Sequence, residues 1–169
     1  MAENPLAGIF RVPLVSQTSF GIGPNDQVSH ALSLAPIIPI VLPEGWGFIN
    51  RLVLPLVTAP DVAAGSGSTT GLGDTTLEVL GHKMFRGRGR SAFDVVAGPA
   101  FGFPSATADA LGTGKWLVGP EVGGAASVGM FVGGVLVRNL TSFAGDARRA
   151  DSNRLCVESF VFLNLPRLW

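Results

Sequence analysis

Between Phe103 and Val122 the chain reads FPSATADALGTGKWLVGPEV, a glycine-rich stretch whose lysine suggests a phosphate cradle. A phosphate-binding loop has the spacing G-x-x-x-x-G-K-[ST]: backbone N–H groups ring the phosphates, the lysine reaches them, and the closing hydroxyl binds magnesium. Trp116 stands where that hydroxyl belongs, and WLVGPEV carries a proline and β-formers instead of the helical spacing that such a loop opens. The stretch GSGSTTGLG (65–73) fails the same test and reads as a flexible loop. Hydrolysis needs a nucleophile, a base within reach and an orienting group. Ser29 precedes His30, but neighbours on a strand face opposite sides, so the pair forms no direct dyad. His30 and His82 are isolated and neither reads as a ligand. The single cysteine, Cys156, allows no internal disulfide, and no Cys/His cluster has metal spacing. No cofactor and no catalytic residue are expected.

Composition excludes further classes. The 169 residues are 47% hydrophobic and 14% charged, with 12 basic against 12 acidic residues, and the mean hydropathy is +0.41. That is apolar for a surface that must face water. With 23 glycines and 12 prolines spread along the chain, short elements joined by turns are favoured over long helices. Every apolar run breaks before the length of about 18 residues that marks a membrane helix. The balanced charge supplies no basic stripe, RGRGR (86–90) reads as a solvated turn, and no nucleic-acid partner is expected.

The elements that must position the charged residues are strands. From Val28 to Leu42 the even positions carry Val28, His30, Leu32, Leu34, Ile38 and Ile40 against Ser29, Ala31, Ser33 and Ala35, a period of two. LPEGWG turns the chain into a second run with Leu52, Leu54 and Leu56 on one face, so 28–42 and 47–59 form a hairpin. Phe93, Val95, Ala97, Phe101 and Phe103 alternate with small or charged residues, and weaker alternation marks 11–23, 74–84, 115–126, 130–143 and 154–164. The fold expected is all-β, an antiparallel up-and-down meander of about eight strands in a single domain over 1–169. Several runs reach the 9–11 residues or so that a tilted strand needs to cross a bilayer. Short turns alternate with longer loops at 60–73, 105–114 and 144–153, as in an outer-membrane β-barrel or the larger part of one. Trp46, Phe48, Trp116, Phe131 and Phe143 fall near strand ends, where rings anchor at an interface or pack a soluble core. On this parity Arg51, Glu78, Asp94, Lys115, Glu121, Arg138 and Glu158 share the face opposite the large apolar residues, and a barrel would turn them into its lumen. There they line a conduction path or fill the interior as ion pairs, and an eight-strand barrel is narrow enough to be filled by its own side chains.

The blocks FGIGPNDQ (20–27), RLVLPLVTAPD (51–61), GSGSTTGLGDTT (65–76), GPAFGFPSATADALGTGKWLVGP (98–120) and VLVRNLTSFAGD (135–146) follow one another along nearly the whole chain. In that order they resemble the outer-membrane β-barrel family named for the meta-cleavage pathway of phenol degradation. The strongest block is P-[ST]-A-T-x-x-x-L-G-T-G-K-W, with Pro104, Thr107, Leu111, Gly112, Gly114, Lys115 and Trp116 in place. The resemblance implies that this block is an external loop returning into a strand. It also implies a passive channel or transporter for small hydrophobic or aromatic compounds, in the outer membrane of a Gram-negative bacterium. The lipid bilayer, an unidentified solute and the barrel-assembly machinery are then the partners. A structural barrel without transport, a non-functional fragment and an outer-membrane hydrolase are the alternatives. Family members begin with a secretory signal and continue beyond a motif similar to FVFLNLP. This chain opens MAENPLAGIF and has Pro166 close to Trp169, so it is expected to lack its address and final strands, as a fragment, a misassigned start or a shortened relative.

Overall fold

The alternating runs become ten antiparallel strands in the computed structural model, which describes residues 10–22, 25–60, 67–87 and 91–163. They are β1 (Leu14–Ile22), β2 (Gln27–Leu34), β3 (Ile37–Val41), β4 (Trp46–Pro60), β5 (Ser68–Leu72), β6 (Thr75–Arg86), β7 (Ser91–Phe103), β8 (Lys115–Val128), β9 (Phe131–Gly145) and β10 (Asn153–Leu163). The sheet runs β1-β2-β4-β6-β7-β8-β9-β10, with β3 and β5 also paired to β4. Two breaks separate ten strands from eight spans. β2 and β3 are one span interrupted at Ala35-Pro36, where proline has no N–H for the ladder. β5 and β6 are likewise one span interrupted at Gly73-Asp74, both pairing with β4. The loop expected at 65–73 is therefore corrected for Ser68–Leu72, which is strand. The opening and closing stretches (1–9, 164–169), residues 61–66 of the preceding loop and residues 88–90 of the RGRGR turn lie outside the described residues.

The hairpin expected across LPEGWG forms, turning on Pro43–Gly45, with Glu44 and Gly45 at φ 59° and 79°. Register carries the sequence parity through the whole sheet. Val28, Leu32, Leu34, Ile38 and Ile40 face outward and are exposed, while Ser29, Ala31, Ser33 and Ala35 face in. The outer face holds further exposed apolar side chains, among them Leu54, Val95, Val122, Val157 and Val161. Residues of the inner face fit together by size. Gly47, Gly102, Gly123 and Gly134 stand directly opposite His82, Leu117, Leu136 and Phe160 on the paired strand. A methyl at each of these glycines would meet the larger side chain, so the missing Cβ is the space that the neighbour occupies.

The sheet curls until distant strands meet. β10 lies five places along the sheet from β4, which on a flat sheet is about 24 Å at a spacing of about 4.8 Å. Arg51 on β4 nevertheless donates to Glu158 on β10 at 2.9 and 3.0 Å. β1 and β10 are the edges, and no ladder joins them among the described residues. The connections after β7 (104–114) and β9 (146–152) leave from one end, and the turns after β3 (42–45) and β8 (129–130) from the other. β1 starts and β10 finishes at the turn end. Ala100, Leu117 and Leu140 form a small buried cluster on the loop side of the interior. Leu117→Ala is expected to cost about 2–5 kcal/mol, because the facing Gly102 has no side chain to fill the hole. Equilibrium urea unfolding in detergent, followed by tryptophan fluorescence, checks this.

Candidate functional site

The concave face gathers the seven charged residues singled out by parity. β4 supplies Arg51, β6 Glu78, β7 Asp94, β8 Lys115 and Glu121, β9 Arg138 and β10 Glu158. Five of them form one network. Glu78, fully buried, accepts from Arg51 Nε at 2.5 Å and Nη2 at 2.9 Å, and also from Arg138 Nη1. Arg51 holds Glu158 with its remaining donors, so one guanidinium clamps carboxylates from two strands. Glu121 completes the group at 3.6 Å from Arg138 and 3.9 Å from Arg51, and its Oε2 has no hydrogen-bond partner. Three carboxylates against two guanidiniums leave one formal negative charge in excess. A buried charge without a partner costs several kcal/mol, so each residue here depends on the others.

Asp94 and Lys115 stand apart from this network. Asp94 lies towards the turn end, with both oxygens 3.1 and 3.2 Å from His82 Nδ1. His82, which sequence reasoning set aside as isolated, is a buried partner of that carboxylate. The signal that finds it is parity, since His82 falls on the same inward phase as Glu78. His82 pairs with Val96 and Met84 with Asp94, so the contact is diagonal across β6 and β7. Ser29 and His30 do face opposite ways, Ser29 donating to the Thr58 carbonyl and His30 lying 3.1 Å from Thr18 Oγ1.

Between the network and the turn end lies a cavity of about 420 Å³, with walls that include Ile49, Leu80, Val96, Leu136, Phe160 and Phe162. Arg51, Glu78 and Glu158 close it on the loop side, and Asp94 also borders it. Ion pairs occupy the interior at the network, and the cavity is the part of the concave side that they leave open. The inward Ala125 and the backbone of Gly124 border it and leave space where a larger inward residue would fill the section.

Lys115 lies at the loop end, buried, with its Nζ 3.1 Å from Asp151 of the β9–β10 connection. That contact holds the Asp151 carboxyl below the usual aspartate range. In the same connection Asp146 accepts from the side chain and backbone N–H of Arg148, which brings its pKa to about 2. The glycine-rich motif is a loop folded over the β5–β6 break. Pro104 leaves β7, and the Thr107 N–H donates to the Leu72 carbonyl at 2.9 Å. Leu111 is buried against Gly71, and Gly112 leaves room for the Asp74 carboxylate. Asp74 accepts from the Thr113 N–H at 2.6 Å and its hydroxyl at 2.7 Å. Gly114 has φ 66° and turns the chain into Lys115, while Trp116 faces outward, edge-on to Phe103 at 5.6 Å. Thr113, through its N–H and hydroxyl, and the Ala106 N–H thus bind an aspartate of the chain itself, beside a glycine that leaves it room. Trp46, Phe48, Trp116, Phe131 and Phe143 are all exposed near strand ends, and Lys83 Nζ lies 4.6 Å from the Trp46 ring centroid.

Comparison with protein-family models, with curated proteins and with solved structures finds no match to this chain. Two outcomes follow from the geometry. Arg51→Met is expected to lose about 3–5 kcal/mol by leaving Glu78 and Glu158 without their clamp. Replacing Arg51, Glu78 and Glu158 together by apolar residues should lose less, and denaturant titration of both variants measures the difference. Asp74→Ala should cost about 1–3 kcal/mol and speed hydrogen exchange at the Thr113 amide, whose acceptor it removes.

Proposed function

We propose that the protein is an outer-membrane β-barrel of a Gram-negative bacterium that lets small solutes pass along its interior without a cofactor and without catalysis. The observation that carries the reading is the division of the sheet into two chemistries. Exposed apolar side chains cover the convex face, whereas seven charged residues of the strands collect on the concave face and most pair there, and Lys83, on the outer phase, lies at the turn end over Trp46. A convex face of that kind suits lipid, and inward pairing suits a surface from which charge is excluded. Strand lengths support it, since β4, β6, β7, β8 and β9 have 12 to 15 residues against the 9–11 or so that a tilted crossing needs. Exposed aromatic rings at both ends of the strands fit an interface on either side. The solute is small and, following the resemblance to the meta-cleavage pathway family, hydrophobic or aromatic. The partners are the bilayer and the machinery that assembles barrels.

A structural barrel without transport is the second reading. The Ala100, Leu117 and Leu140 cluster and the clamped Arg51 favour it, because together they obstruct the axis. Conductance across a planar bilayer separates the two. Transport predicts discrete steps whose ion selectivity changes in Arg51→Ala and Glu121→Ala. Silence from protein shown to be inserted, with both variants merely less stable, establishes the structural role.

A further inference from the structure

We infer that the interior cavity is a binding site for a single-chain amphiphile with an anionic head, of the long-chain carboxylate kind, which enters sideways from the bilayer between β1 and β10. The inference rests on the membrane reading above. At about 420 Å³ the cavity falls within the roughly 300–1,000 Å³ of small-molecule sites, and its walls are mostly apolar below the charged ceiling of Arg51, Glu78 and Glu158. Leu80, Val96, Leu136, Phe160 and Phe162 offer nothing that would hold a polar solute.

The route follows from the edges. Leu14 and Val15 are neighbours on β1 and face opposite sides of it, yet both border the cavity. The cavity therefore reaches the edge of β1 as well as its inner face. From the other side β10 contributes Phe160 and Phe162, and no ladder joins the two strands among the described residues. Axial entry from the loop end meets the Arg51 network and Leu117. The seam leads instead to the convex surface that the membrane reading places in lipid.

The head group follows from charge. Arg11 borders the cavity beside the seam, its backbone paired with Ile37, which pairs in turn with Arg51. Among the described residues the Arg11 side chain has no hydrogen bond or ion pair, whereas Arg51 and Arg138 are held by carboxylates. A guanidinium beside apolar walls is best matched by a carboxylate bound through two N–H donors. Among the carboxylates that border the cavity a cationic head finds no comparable partner, because Glu78 and Glu158 are engaged by arginine and Asp94 by His82, and Glu121, whose Oε2 is unpartnered, does not border it.

The test uses the full chain refolded into phosphatidylcholine vesicles, with insertion established by circular dichroism and protection from trypsin. Spin-labelled stearate is titrated in, and its immobilised component is read by electron paramagnetic resonance. The expected result is a saturable component beyond the lipid shell that is lost in Ala125→Phe, where a ring fills the cavity. Arg11→Gln should retain the site but weaken it about tenfold, and the methyl ester of the probe should bind wild-type protein about as weakly as the acid binds that variant. An immobilised fraction that Ala125→Phe and Arg11→Gln both leave unchanged reports lipid on the outer surface and overturns the inference. Failure to insert overturns the membrane reading as well, whereas insertion without a cavity-dependent component overturns this inference alone.

Discussion

The clamp of Arg51 on Glu78 and Glu158 is the contact on which the rest of the sheet depends. Glu78 is buried on β6, and a carboxylate there requires cations within reach. Arg51 comes from the neighbouring strand and Arg138 from β9, three places further along. Neither that convergence nor the reach from Arg51 to Glu158 is possible on a flat sheet, so electrostatic satisfaction and curvature are one requirement. The small inward residues serve it. Gly98 and Gly119 flank the charged rows, and a methyl on Gly119 would overlap the Asn139 carbonyl. Close strand approach there leaves the inner volume to long arginine and glutamate side chains.

Much of this was legible because a strand obeys a single rule. Parity alone places Arg51, Glu78, Glu121, Arg138 and Glu158 on one face, and Leu34, Ile38 and Leu54 on the other. Their pairing was not legible, because Arg51 and Glu158 are 107 residues apart and meet only after the sheet curls. The break at Pro36 stayed hidden because alternation continues through it in phase. β5 stayed hidden because Ser68, Thr69, Thr70 and Gly71 have loop composition, and their strand conformation comes from pairing with β4. The pairing of His82 is not legible in the sequence, because its partner sits on the next strand, at a diagonal that register decides. The role of the glycine-rich motif depended on Asp74, 39 residues before Thr113. Cavity size was beyond sequence reasoning, since strand number sets how narrow a closed barrel is, whereas the volume left inside depends on side-chain fit.

The functional proposals divide the interior at the charged network. On the loop side, Leu117 and its neighbours and the Lys115–Asp151 pair narrow the axis, and the motif loop is tied down by Asp74. On the turn side the interior widens into an apolar chamber that reaches the edge strands. A conducting barrel must open the first region, whereas a lateral binding site needs only the second. The network is pivotal in both, as the constriction of one and the ceiling of the other.

The claim that the Arg51 clamp sets the curl is tested most directly by a distance between β4 and β10. Spin labels at Phe48 and Val157, both outward, are introduced in a Cys156→Ser background and measured by pulsed electron paramagnetic resonance. A single narrow distribution is expected, broadening and shifting to longer distances when Arg51→Ala is added. An unchanged, equally narrow distribution in folded Arg51→Ala protein would contradict the claim, because backbone pairing alone would then hold the curvature.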